Sequence, residues 1–364
     1  MKIFSDFHHS GLARGLVLTL QHRLGHEVHF PGTDFVEKTL HLSGGHHILL
    51  VCLPSWTLSL GGFPDHLAGE WKQLPTYDEF MSTDWDVFLV TRIETQHMFR
   101  ELKKIHPNGA NIKIVCQTGN DGTSFDWDFC PNFMASDEAS YRRAPADLHK
   151  IWYMQELGMQ YLSDDYVPIT PTALKTVNCF VNCWPTFNMP WVWDGDRSPW
   201  GGGCPHCGQN AGRSGDPVAP YGLWSEARHS LPDHTFNEYG IACTLGCIPE
   251  VCLPMEYTLG GLTVHMKTYD GYGFSMLQSI AMGRLVIVPR GFHRYRTAGR
   301  ILIPNLTCLE SEWTADSLIG VIKDFTSDIS MANAMSESCH KVSRALFDFD
   351  LEARRIEKFL QNLR

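Results

Sequence analysis

The sequence predicts an α/β protein made of two doubly wound, Rossmann-like domains, and three observations carry that prediction. The first 30 residues read as strand, small-residue turn, helix, glycine and strand. The further strand candidates are short and apolar, as a sheet buried on both faces requires. A second series of such strands begins after a stretch broken by Pro168 and Pro171, in a chain of 364 residues, long enough for about two domains.

Each element follows from local chemistry. Residues 2–7 form a partly apolar strand, His8-His9-Ser10-Gly11 a turn, and Leu12 to Leu24 a helix carrying Leu16, Leu18, Leu20 and Leu24. Gly25 ends that helix and the chain restarts as a strand through Phe30. Further strands fit at His47–Leu53, Asp86–Val90 and Lys113–Cys116, with a helix at Glu94–Ile105 and helices at Glu138–Arg143 and Ala144–Leu157. Residues 1–165 thus form an N-terminal domain and 166–340 a C-terminal one. The closing segment 341–364, helical at Asp350–Leu363, is expected to pack back across the domain junction. In the C-terminal domain, Lys175–Cys183, Ile241–Leu245, Gly261–His265 and Leu285–Pro289 read as strands and Ala315–Phe325 as an amphipathic helix. Between Trp184 and Trp224 lies a long tract without regular pattern, with Trp191, Trp193, Trp200 and Gly201-Gly202-Gly203; its aromatic content suits a binding surface better than disorder.

Composition narrows the function classes. A formal charge of −10 argues against coating nucleic acid through bulk charge, so any phosphate binding is expected to be local. The N-terminus lacks an apolar core of signal-peptide length and no window approaches a membrane span, which predicts a cytoplasmic protein with no membrane span. Most of the 12 cysteines are then expected to be buried thiols. Cys204-x-x-Cys207 with Cys243-x-x-x-Cys247 is a candidate set of four thiolates for a structural zinc, the second pair having looser spacing than zinc sites favour; buried thiols are the competing reading.

The segment from Lys267 to Val288 carries the strongest functional signal: Lys267-Thr-Tyr-Asp270-Gly271-Tyr272-Gly273-Phe274-Ser275-Met-Leu-Gln278, then an apolar helix face and a buried strand. Its glycines let backbone N–H groups approach a ligand, and a helix starting near Phe274 points its positive end and unpaired amides at the same place. A diphosphate suits that place. Gln278 lies about one helical turn further in, within reach of a ribose or sugar hydroxyl.

Taken together these residues resemble the retaining nucleotide-sugar glycosyltransferases of the GT-B fold (glycosyltransferase family 4-like). Their C-terminal domain carries an acidic residue, Gly-aromatic-Gly, an apolar run, and a second acidic residue opening Ala-Met-Ala-x-Gly-x-Pro-Val. The spacing from Asp270 through Gln278-Ser-Ile-Ala-Met-Gly283-Arg-Leu-Val is kept. Arg23-Leu-Gly-His-Glu-Val28 and the closing Phe347-Asp-Phe-Asp-Leu-Glu-Ala-Arg-Arg-Ile-Glu-Lys-Phe-Leu extend the similarity to both ends, while the Trp/Cys-rich tract is atypical.

The resemblance implies two Rossmann-like domains facing across a cleft, and sugar transfer from a nucleoside diphosphate sugar, UDP- or GDP-linked, to an acceptor hydroxyl with retention and without a catalytic metal. It gives Asp270 to the donor sugar and Gln278 to the ribose. Gly271, Tyr272, Gly273, Phe274 and Ser275 then line the donor. Both polar positions depart from the commoner glutamate: Asp270 is one methylene shorter, and Gln278 offers a neutral amide. The family's Arg/Lys pair for the leaving diphosphate has no aligned counterpart; Lys267 and Arg213 are candidates beside Arg197 and Arg228.

On the acceptor side, His8, His9, Ser10 and Gly11 follow the first strand, where open α/β sheets bind ligands, and His9 is a candidate for contacting the sugar or moving a proton. Asn120 and Asp121 take a similar rim position, although Asn-Asp-Gly is also ordinary turn chemistry. The run Arg290-Gly-Phe-His-Arg294-Tyr-Arg296 suits a phosphate-bearing acceptor such as DNA, or a solvated loop. Acceptors therefore span glycans, small molecules and modified DNA. The alternatives are a DNA-modifying glycosyltransferase acting on a hydroxymethylated base, and a catalytically inactive nucleotide- or sugar-binding protein.

Overall fold

The computed structural model describes residues 1–6, 14–43, 75–91, 93, 95–118, 125–158, 161–183, 220–241, 245, 248, 252–266, 272–292 and 297–364. They fall into two compact units, Met1–Gly158 with Asp348–Arg364, and Met159–Phe347. The first contains strands β1 (Lys2–Ser5), β2 (Glu27–His29), β3 (Val87–Val90), β4 (Lys113–Thr118), β5 (Asn132–Ala135) and β6 (His149–Trp152). The second contains β7 (Thr176–Cys183), β8 (Thr235–Ile241), β9 (Leu262–Val264), β10 (Val286–Pro289) and β11 (Cys308–Ser311).

Both sheets are parallel, in the orders β2-β1-β3-β4-β5-β6 and β11-β10-β9-β7-β8. The chain is thus α/β with two parallel-sheet units, as the short apolar strands predict. In each sheet the first strand sits inside the order with neighbours leading away on both sides, so a topological switch point lies between β1 and β3 and again between β7 and β9.

The first unit closes its core around Phe4 on β1, whose ring meets Phe35, Phe80, Trp85, Phe88 and Phe99 at centroid distances of 4.7 to 6.1 Å. Phe35 comes from helix α1 (Thr33–Thr39), Phe80 from α2 (Tyr77–Ser82) and Phe99 from α3 (Gln96–Ile105). Over Val17–Arg23 the first helical segment winds as a π-helix. The last helix, Phe349–Leu360, belongs to this unit: Arg23 bonds Glu156 and Asp350 at 2.5 Å each, Glu357 meets His26 at 2.8 Å, and the rings of His149 and Phe359 stack at 4.5 Å.

Residues 144–157 are not the helix expected from their composition. Ala144 leaves the helix Glu138–Arg143 extended, Pro145 follows it, and His149–Trp152 pairs in parallel with β5 as an edge strand. β5 and β11 carry no strong period of their own and are held by pairing and burial.

The second unit buries Leu223, Trp224 and Ala227 of helix α4 (Pro220–Ser230), Tyr257 of α5 (Leu253–Leu259), most of α6 (Phe274–Ala281), and the inward faces of α7 (Ala315–Thr326) and α8 (Ile329–Leu346). Two histidines here carry a pH signature. Burial depresses His340, whose Nε2 lies 3.0 Å from the Ser163 carbonyl, and burial followed by the nearby Lys175 depresses His234 below the ordinary value near 6.5. The folded state therefore binds fewer protons than the unfolded one, so stability is full above about pH 6.5 and falls as pH drops from there through the folded values. Urea unfolding from pH 8 to 5 should show that fall, and a smaller one in His340→Gln. No helix among the described residues is long and apolar enough to cross a membrane.

Candidate functional site

At the switch point of the second unit, helix α6 follows strand β9. β9 ends at Val264, followed by the buried His265 and Met266; Lys267, Asp270 and Gly271 lie outside the described residues. The chain re-enters at Tyr272, and Gly273 starts α6 with φ 71° and ψ 55°, the left-handed region that favours glycine. Gly273 has no side chain of its own to cap this end, and the first helical bond there runs from Leu277 N to Gly273 O at 3.0 Å. The N–H groups of Phe274, Ser275 and Met276 consequently have no intrahelical acceptor and point from the positive end of the helix.

Tertiary contacts hold α6 at both ends. The Ser279 hydroxyl donates to Thr263 Oγ1 at 2.7 Å, tying the helix to β9, and Met276, Leu277, Ile280 and Ala281 are fully buried beneath it. The rings of Tyr272 and Phe274 meet edge to face at 4.8 Å over the helix start. At the far end, Arg344 donates to the Ala281 carbonyl, placing a cation on the negative pole. Gln278 is buried, and its Oε1 accepts from the Tyr257 hydroxyl at 3.0 Å.

Arg284, just beyond Gly283, is fully buried with no carboxylate among its hydrogen-bond partners. Its guanidinium donates to the carbonyls of Gly260 (2.9 Å), Val167 (2.9 Å) and Thr258 (3.2 Å) and to the Ser336 hydroxyl (3.2 Å). Burial pushes it down to about 10, which leaves it charged at neutral pH. It fixes the end of α5 and the entry to β9, the strand that delivers the site. Of the basic run after β10, Arg290 pairs with Glu312 at 2.9 Å, and Gly291 N donates to Glu310 at 2.9 Å; residues 293–296, which include Arg294 and Arg296, lie outside the described residues.

No family model matches the chain, and no curated protein does. Solved structures do. HepE from Anabaena in complex with UDP and glucose superposes with a TM-score of 0.61 at 13% identity, over 100% of both chains. Sucrose-phosphate synthase from Thermosynechococcus elongatus gives 0.60 at 12% identity over 99% of this chain and 98% of that one. An alpha-glucosyltransferase in complex with UDP and a 13-mer DNA containing a HMU base gives 0.56 at 10% identity over 100% of both. The fold is GT-B.

In the first GT-B unit the switch point follows β1. Asp6, buried there, accepts from Thr91 N at 2.7 Å and from the Thr95 hydroxyl, so it ties the end of β1 to the loop after β3. His8, His9, Ser10 and Gly11 follow it in sequence and lie outside the described residues, as do Asn120 and Asp121 after β4. On β4 itself Gln117 is buried and donates to the Tyr153 hydroxyl at 2.9 Å, while its Oε1 has no hydrogen-bond partner among the described residues. Burial raises the Tyr153 phenol above its ordinary range.

Arg213 and the candidate zinc ligands Cys204, Cys207, Cys243 and Cys247 also lie outside the described residues. Among the described residues no group of three or more His, Cys, Asp or Glu side chains is gathered as for a metal ion. Cys179, Cys308 and Cys339 are buried cysteines outside any disulfide, with burial pushing the last two up to about 12, whereas Cys116 and Cys130 form a disulfide with Cα atoms 5.9 Å apart. Sequence reasoning missed Tyr257, Arg284 and Arg344. Arg284 stood inside the quoted segment, and its place directly after a helix-ending glycine was the available signal.

Proposed function

We propose that the protein is a glycosyltransferase that moves a sugar from a nucleoside diphosphate sugar, UDP- or GDP-linked, to an acceptor hydroxyl with retention at the anomeric carbon. The observation that carries this reading is the left-handed Gly273 opening helix α6 at the switch point of the second sheet, in a chain of GT-B fold. The amides of Phe274, Ser275 and Met276 stabilise the diphosphate as its negative charge grows on bond cleavage, with Gly271, Tyr272 and Gly273 lining the donor and Lys267 or Arg213 as the accompanying cation. Asp270 faces the donor sugar, where positive charge develops, and Gln278 meets the ribose. His9, with His8, Ser10, Gly11, Asn120 and Asp121, forms the acceptor side in the first unit.

The neighbours described with UDP or with UDP-glucose support a uridine nucleotide as the first donor to test. The full-length protein, incubated with UDP-, GDP-, ADP- and TDP-glucose, is expected to release nucleotide with one donor when a suitable acceptor is present. Tight nucleotide binding without release, across glycan, small-molecule and hydroxymethylated-DNA acceptors, would instead establish a binding protein. The DNA arm is included because one similar structure carries UDP together with DNA containing a HMU base.

A further inference from the structure

The bond between Tyr257 and Gln278 determines which end of the Gln278 amide a ligand meets, an inference that rests on the donor-site reading above. Gln278 sits one turn inside the N-terminal end of α6, 5% exposed, and the Tyr257 hydroxyl donates to its Oε1 at 3.0 Å. Tyr257 is itself 1% exposed and held by rings: Phe180 at 4.1 Å and Tyr161 at 6.3 Å. Phe180 in turn stacks on Tyr239 at 4.6 Å with planes 10° apart, and the Tyr239 hydroxyl donates to Glu256 at 2.8 Å, next to Tyr257 in α5. The phenol proton therefore finds the amide oxygen in a wall that cannot easily rearrange. Nε2, a donor only, is the end left for a ligand.

We propose that Gln278 recognises the ribose as a hydrogen-bond donor to one of its oxygens, and that the site consequently accepts 2′-deoxynucleoside diphosphate sugars alongside ribonucleoside ones. A carboxylate at this position would accept protons from two ribose hydroxyls through charge-assisted bonds, roughly twice as strong as neutral ones. Loss of the 2′-hydroxyl would then cost a strong bond and leave a buried charge underpaired, and sites built around a substrate hydroxyl reject the analogue that lacks it. The amide N–H loses neither, because the ring oxygen and the 3′-oxygen accept from it as well as the 2′-oxygen does.

The test is calorimetric titration of UDP and 2′-deoxy-UDP into the full-length protein and its Gln278→Glu, Gln278→Ala and Tyr257→Phe variants. The wild type is expected to prefer UDP by less than about threefold, and Gln278→Glu by about tenfold or more. Tyr257→Phe frees Oε1 to accept a hydroxyl proton and should widen the preference toward the Glu variant while keeping the ring packing. Gln278→Ala should weaken both nucleotides to a similar degree. A wild-type preference for UDP above about tenfold, with UDP binding intact, overturns this proposal and leaves the donor site standing. Unchanged affinities in Gln278→Ala overturn it too, since the position then touches no nucleotide. Binding of neither nucleotide removes the donor-site reading and this inference with it.

Discussion

Replacing Arg284 by methionine is expected to destabilise the second unit by about 2–4 kcal/mol, because buried acceptors lose their donor at roughly 1–3 kcal/mol each. Two effects compete. Methionine relieves the cost of burying a guanidinium, which is real, since that burial pushes the group down to about 10. It also strips hydrogen bonds from three carbonyls and one hydroxyl at Gly260, Val167, Thr258 and Ser336. Val167 is exposed and can meet water, and Ser336 keeps its bond to the Gly283 carbonyl, but an acceptor left unpaired in the interior, as at the buried Gly260, costs roughly 1–3 kcal/mol, so the loss outweighs the relief. Lysine keeps the charge but has no planar fork to reach four acceptors, and should fall between the two. Equilibrium urea unfolding followed by circular dichroism measures the change, and a loss under about 1 kcal/mol would show that the carbonyls find other partners. Because the same guanidinium holds the entry to β9, a folded Arg284→Lys protein should also bind nucleotide more weakly.

Asp270→Ala is expected to lower the rate of sugar transfer on the order of 10²–10³-fold while changing nucleotide affinity only a few-fold. The reason is where charge appears: as the glycosidic bond breaks, the sugar gains positive character that exists only in the transition state. Removing a single preorganised electrostatic partner from such a state costs about that factor in other enzymes. The nucleotide, bound through the helix amides and Gln278 in this reading, does not depend on Asp270. Steady-state transfer with the donor found in the panel, alongside nucleotide titration, separates the two quantities. Transfer within about threefold of wild type would remove Asp270 from the chemistry; an equal loss of affinity and rate would make it a ground-state binding group.

Several features were legible in the sequence because they are local. The spacing of Asp270, Gly271, Gly273 and Gln278 announced a turn followed by a helix start, and Gly273 does adopt the left-handed conformation that makes glycine the fitting residue there. Short apolar strands implied parallel sheets, and both sheets are parallel. The helix assigned to 144–157 failed because composition outweighed Pro145 and because an edge strand such as His149–Trp152 is stabilised by pairing with β5, which no local pattern contains.

What this sequence determined by itself was the α/β class and the glycine-opened helix, since backbone conformation and burial pattern are set by neighbours a few residues away. Tertiary structure alone decided the rest. It placed the closing helix on the first unit through Arg23, Glu357 and Phe359, partners separated by 210 to 331 residues in the chain. It also made Arg284 a buried clamp and turned the Gln278 amide toward Tyr257. A long polar side chain declares neither its burial nor its partner in sequence, because both depend on which distant backbone and side-chain groups folding brings within hydrogen-bond reach.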